Sequence, residues 1–185
     1  MSPEDPLAPS IRYRWTVLVM LTLVYTFNFI DRQILVILQE PIKADLGLSD
    51  AQLGLLSGFS FALVYVTAGI PIAWLADRGN RRNIVAVSLG FWSFMTALSG
   101  LAQNYGQLLA ARIGVGIGEA GGSPPSHSMV SDYFPAKQRG TALSFYSTGI
   151  YIGILIGFAA GGWIAETFGW RVAFFLVGVP GMFYA

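Results

Sequence analysis

The stretch "WTVLVMLTLVYTFNFIDRQILVIL", Trp15–Leu38, decides the fold, because it is long and apolar enough to cross a bilayer yet carries two adjacent full charges. Crossing roughly 30 Å of hydrocarbon at 1.5 Å per residue takes about 20 apolar residues. Asp31 and Arg32 interrupt a run of that length near its far end. An unpaired charge at the bilayer centre costs at least ~3 kcal/mol on insertion scales, so this pair must face partners or a wet cavity.

The rest of the chain repeats the first half of that pattern. Of 185 residues, 54% are hydrophobic and only 11% charged, where a soluble domain is nearer 25%. Six apolar segments stand out, about 15–38, 52–75, 84–101, 108–130, 141–165 and 172–185. None shows the ten-residue alternation of barrel strands, and helices are the remaining way to satisfy a backbone in lipid. The reading is an all-α integral membrane protein: a polar tail over 1–13 and a six-helix bundle over 14–185. Its last segment is about 14 residues, roughly 21 Å, too short to span. That predicts a truncated sixth helix and a fragment of a longer protein. Ser49 with Gln52 reads as a capping box opening the second helix, and "SPP" at 123–125 predicts a bend in the fourth.

Orientation follows from basic residues in short loops. Arg12, Arg14, Arg78, Arg81, Arg82, Lys137 and Arg139 fall on one side, against Lys43 and Arg171 on the other. The N-terminus is therefore expected on the cytoplasmic face of a cell or inner membrane. The net charge of +1 gives no field for nucleic acid, and cysteine is absent. His127 is the only histidine, so no soft-metal site can be assembled, and no cofactor is expected. "GVGIGEAGG" mimics a phosphate loop but lies inside a spanning helix. Trp15, Trp74, Trp163 and Trp170 are expected at the membrane interfaces.

Two further intramembrane charges, Arg112 and Glu119, sit seven residues apart in the fourth segment and so share a helix face. Adjacent Asp31 and Arg32 point about 100° apart, so each needs its own partner. Arg112 falls at the depth of Asp31–Arg32, and Glu119 nearer the middle. Ion pairs that only specify packing are one reading. The other is a proton or solute relay, in which desolvation favours the neutral acid and a nearby guanidinium the charged one. Asp77, Arg78, Arg81 and Arg82 in "LADRGNRR" could form ion pairs that break when a cytoplasmic gate opens. Gly149, Gly153, Gly157 and Gly161 recur every four residues and predict a close helix–helix face.

These motifs resemble the N-terminal half of a major facilitator superfamily transporter. "LADRGNRR" is similar to that family's loop signature, with Ala73 and Asn80 where it has glycines. "NFIDR", "GIGEAGGSPP…SDYFP" and "RGTALSFY" resemble the Spinster branch of lysolipid and sphingolipid transporter-like members. The resemblance implies a secondary active transporter with alternating access, and not an enzyme. It implies that Asp31, Arg32, Arg112 and Glu119 line a proton-coupled cavity, and that Asp77, Arg78, Arg81 and Arg82 form a cytoplasmic gate. It also implies a C-terminal six-helix half as partner. The solute is expected to be organic and lipid-like; the alternative within transport is a small organic anion gripped by Arg32 and Arg112. A truncated, non-transporting scaffold is the alternative outside it. "GILIGFAAGG" (153–162) is similar to an antiporter signature but has Phe158 in place of its proline, which speaks against drug–proton antiport.

Overall fold

The structure is a computed structural model and describes residues 10–185. The first nine residues of the expected tail lie outside the described residues. Every regular element among the described residues is helical. Helix α1 (Ile11–Ile37) begins ahead of the apolar run because Ser10 caps it, its hydroxyl accepting from the Tyr13 amide at 3.3 Å. It ends where Pro41 would be required to donate to the Ile37 carbonyl and has no N–H to do so. A short α2 (Gln39–Leu46) comes next and closes on Gly47 in the left-handed region, φ 62°.

The second apolar segment comprises α3 (Asp50–Gly54), one π-helical stretch (Leu55–Phe59) and α4 (Ser60–Arg78). The Ser49–Gln52 capping box is formed in both directions. Ser57 donates back to the Leu53 carbonyl at 2.9 Å at the π stretch, which inserts one residue and rotates α4 relative to α3. Asn80 caps α5 (Arg81–Ser99) by accepting from the Asn83 amide at 3.4 Å. An N-cap is thus the use of the residue standing where the family signature has glycine. The fourth segment is broken rather than merely bent. Helix α6 (Tyr105–Glu119) stops, Ala120–Gly122 turn, and α7 (Ser123–Tyr133) restarts with proline at its first turn, where no amide donor is missed. Helix α8 (Ala136–Phe168) is continuous, and Gly169 at φ 85° turns the chain into α9 (Trp170–Tyr184).

By length and composition, Ile11–Ile37, Asp50–Arg78 and Ala136–Phe168 can each cross a membrane. Helix α9 is apolar but has 15 residues. Helix α5 opens on Arg81, Arg82 and Asn83, and α6–α7 is split, so neither reaches the same length and apolarity.

The glycine row of α8 lies against α1. A Cβ at Gly149 would sit 2.7 Å from the Thr22 carbonyl oxygen, and one at Gly153 2.6 Å from that of Thr26. At Gly157 and Gly161 it would meet the Gln33 and Ile34 side chains. Two backbones can approach this closely only without side chains between them. The glycines of the discarded phosphate-loop mimic do the same for α6 and α5: Gly114 seats Met95 and Gly118 seats Trp92. Two apolar clusters result. One holds Leu18, Leu21, Trp92, Val115 and Tyr146; the other holds Ile34, Leu38, Leu56, Leu108 and Phe174. Asp31 lies between them along α1.

Candidate functional site

A polar layer separates the two apolar clusters. Asp31, Arg112 and Glu119 are 1%, 2% and 0% exposed, in a region where unpaired charge is not tolerated. Arg112 Nη1 donates to Asp31 Oδ1 at 2.9 Å, and Arg32 Nε donates to Glu119 Oε2 at 2.8 Å. The pairs cross as the 100° divergence of Asp31 and Arg32 requires: each charge on α1 meets the opposite charge on α6. Each bond is charge-assisted and therefore stronger than a neutral one.

The two pairs differ in access. Asp31–Arg112 is sealed on both sides, whereas the Arg32 side chain is 31% exposed. Its guanidinium carbon lies 5.2 Å from the ring centres of Phe61 and Tyr65 and 5.4 Å from that of Phe29. Arg32 is thus held by a buried carboxylate on one side and by aromatic faces on the other. Sequence reading missed Thr96, whose hydroxyl is 2.5 Å from Asp31 Oδ2 and 2.9 Å from the Trp92 carbonyl. With one proton it can donate to only one of them at a time. A threonine inside an apolar helix gives no signal until its neighbour is known.

The expected pairing within "LADRGNRR" does not form. Asp77 makes no ion pair with Arg78, Arg81 or Arg82 among the described residues. Arg81 instead pairs with Asp132 at the end of α7, Arg78 lies 4.0 Å over the Trp74 ring, and Arg82 reaches Asn83 Oδ1 at 3.3 Å. The reason is the Gly79–Asn80 turn, which starts α5 and aims Arg81 at α7 rather than back at α4. Among the described residues, the acid that is ion-paired at this end of the bundle is Asp132.

At the opposite end, Asp45 Oδ2 accepts from Arg171 at 2.6 Å and from the Trp170 indole at 3.2 Å. Arg171 also donates to the Ala102 carbonyl at 3.1 Å, tying three connections together. The Arg171 hydrogen bond holds the Asp45 carboxyl below its usual range. Lys43 donates to Asp50 at 2.5 Å, and that bond pushes its ammonium up. Trp15, Trp74 and Trp163 are exposed as an interface belt requires, but Trp170 is buried under this clasp. His127 is exposed and meets Tyr146 edge-on, ring centres 5.1 Å apart.

The chain is 40% identical over 90% of its length to a protein of Mycolicibacterium smegmatis named "MFS-type efflux pump". It is 35% identical over 97% of its length to a Bacillus subtilis protein named "Probable galactarate/D-glucarate transporter". It covers 39% and 41% of these proteins, so it spans about two-fifths of the length of the curated relatives it matches. Among solved structures it is similar to a bacterial homologue of the human lysosomal transporter Spinster in an inward-facing, occupied conformation. The TM-score is 0.88 at 41% identity, over 95% of this chain and 43% of that one. The two-fifths coverage fits the N-terminal half expected from the sequence. The family profile described as Major Facilitator Superfamily matches residues 21–185, from the middle of α1 through α9, so the crossed ion pairs sit within the matched region and the chain belongs to that superfamily.

Proposed function

We propose that this chain is the N-terminal half of a secondary active transporter that moves an organic solute with an anionic group, coupled to protons. The single observation that carries this reading is the asymmetry of the crossed pairs. Arg32 is the one member of the four that is open to its surroundings, and its counter-ion, Glu119, is fully buried. A proton taken up by Glu119 removes the charge that holds Arg32. The guanidinium is then free to take a solute carboxylate or phosphate, which it can grip with two parallel N–H donors. Losing the proton restores the Arg32–Glu119 pair and displaces the anion. Solute and proton thus bind or leave together, as coupling demands. Asp31 ties α1 to α6 through Arg112 and to α5 through Thr96 while this exchange occurs.

Sealing of Arg112 under Asp31 argues against a solute gripped by both arginines. Phe29, Phe61 and Tyr65 around Arg32 favour an amphipathic solute whose apolar body rests on the rings, in line with the similarity to the Spinster homologue. The relatives named for sugar acids favour a hydroxylated carboxylate. We place the N-terminus on the cytoplasmic side from the distribution of Arg and Lys. A second six-helix half would complete the cavity, with the Arg81–Asp132 pair near its cytoplasmic closure.

Uptake into proteoliposomes containing the full-length protein tests the solute. With an imposed pH gradient, radiolabelled galactarate and a radiolabelled lysolipid are compared side by side. Uptake of either that collapses with the gradient, and is lost in Arg32→Gln, supports an anion on Arg32. Uptake undiminished in Arg32→Gln would overturn it.

A further inference from the structure

Asn28 has no role in the crossed pairs, yet it is 3% exposed in the interior of α1, on the stripe that also carries Leu21, Val24 and Leu35. Its Oδ1 has no hydrogen-bond partner, and neither does Glu119 Oε1. Leaving such a buried acceptor without a partner is destabilising, and leucine would fill the space without that cost. An amide there therefore has a polar task.

Helix geometry says which. Asn28 precedes Asp31 by three residues and Arg32 by four, so its direction falls between theirs, toward α6. Thr96 of α5 is level with Asp31, and one turn back along both helices Trp92 is level with the Phe27–Asn28 step. Gly118 of α6 packs directly on Trp92, which brings Glu119 to the level of Asn28. Asn28 Oδ1 and Glu119 Oε1 are both buried acceptors without a donor, and a proton on Oε1 would supply one.

We propose that Asn28 is the positioning residue for the proton on Glu119: its amide oxygen accepts from the Glu119 carboxyl O–H while Oε2 releases Arg32. Asp31, Arg32 and Tyr25 on α1, Arg112 on α6 itself and Tyr65 beside Arg32 on α4 are the other ionisable groups of this neighbourhood. Helix α5 contributes Trp92 and Thr96, which do not titrate. Tyr146 of α8 is stacked on Tyr25, and His127 of α7 lies against that same Tyr146 ring. The inference rests on Glu119 being the proton carrier of the proposed function.

Infrared difference titration of the purified full-length protein reads it without any solute. The protonated-carboxyl band of Glu119 is identified by its loss in Glu119→Gln. In Asn28→Leu the protonated form loses its acceptor while the ionised form does not, so the midpoint of that band moves toward acid by about one pH unit, a tenfold change. Asn28→Ser, which keeps an acceptor and a small polar side chain, returns it toward the parent value. A midpoint that stays in place in Asn28→Leu, or that moves equally in Asn28→Ser, overturns the role of Asn28 alone. Absence of any Glu119 band between about pH 4 and 9 overturns this inference and proton coupling through Glu119 together.

Discussion

Replacing Arg112 with leucine is expected to destabilise the helical bundle by about 3–5 kcal/mol, because it strands Asp31 as a buried, uncompensated charge. Arg112 is the only cation bonded to Asp31 among the described residues, and the Thr96 hydroxyl alone cannot balance a full charge. Replacing both members, Asp31→Leu with Arg112→Leu, should restore most of that loss, since apolar side chains of similar volume remove the desolvation penalty with the attraction. Thermal unfolding of the detergent-purified full-length protein measures both variants. Assayed for solute uptake, the double variant separates two roles. If the pair only holds α1 against α6, uptake returns with stability. If it keeps the helices in register for proton exchange at Glu119, the stable double variant remains impaired. A single Arg112→Leu variant as stable as the parent would show that Asp31 is not paired as described.

The second large effect is expected at Gly153. A Cβ there would lie 2.6 Å from the Thr26 carbonyl oxygen and 2.7 Å from Phe29 Cβ, and neither the α1 backbone nor a β-carbon can swing away. Gly153→Val must therefore push α8 off α1 at a backbone-to-backbone contact, at about 3 kcal/mol or more. Gly162, one residue beyond the glycine row, has nothing within 4 Å of where its Cβ would be, so Gly162→Ala should be nearly silent. The contrast is read in the same unfolding experiment. Equal losses at the two positions would contradict the α1–α8 packing.

Features that depend on one helix were legible in the sequence. Membrane-length runs, the four-residue glycine row, the shared face of Arg112 and Glu119 and the divergence of Asp31 from Arg32 all derive from 3.6 residues per turn. That Asp31 and Arg32 need different partners follows from the same spacing; which residues those are comes from the approach of α6 to α1. What escaped depends on how separate helices approach. Arg81 and Asp132 are 51 residues apart, and Asp45 and Arg171 are 126 apart, so no local spacing announces either pair. Thr96 looks ordinary in an apolar helix until the acid opposite it is placed. Trp170 reads as an interface residue because its burial comes from the clasp with Asp45. The π stretch at Leu55–Phe59 has only small-residue neighbours to mark it.

Proton-driven uptake by Glu119→Gln in full-length protein, set against solute exchange at equal pH on both sides, tests the central claim most directly. Glutamine keeps the shape and a hydrogen-bonding oxygen for Arg32 but cannot ionise. The account predicts that gradient-driven accumulation is lost while exchange of pre-loaded solute continues, because exchange requires no change in protonation. Accumulation at the parent rate in Glu119→Gln would contradict it.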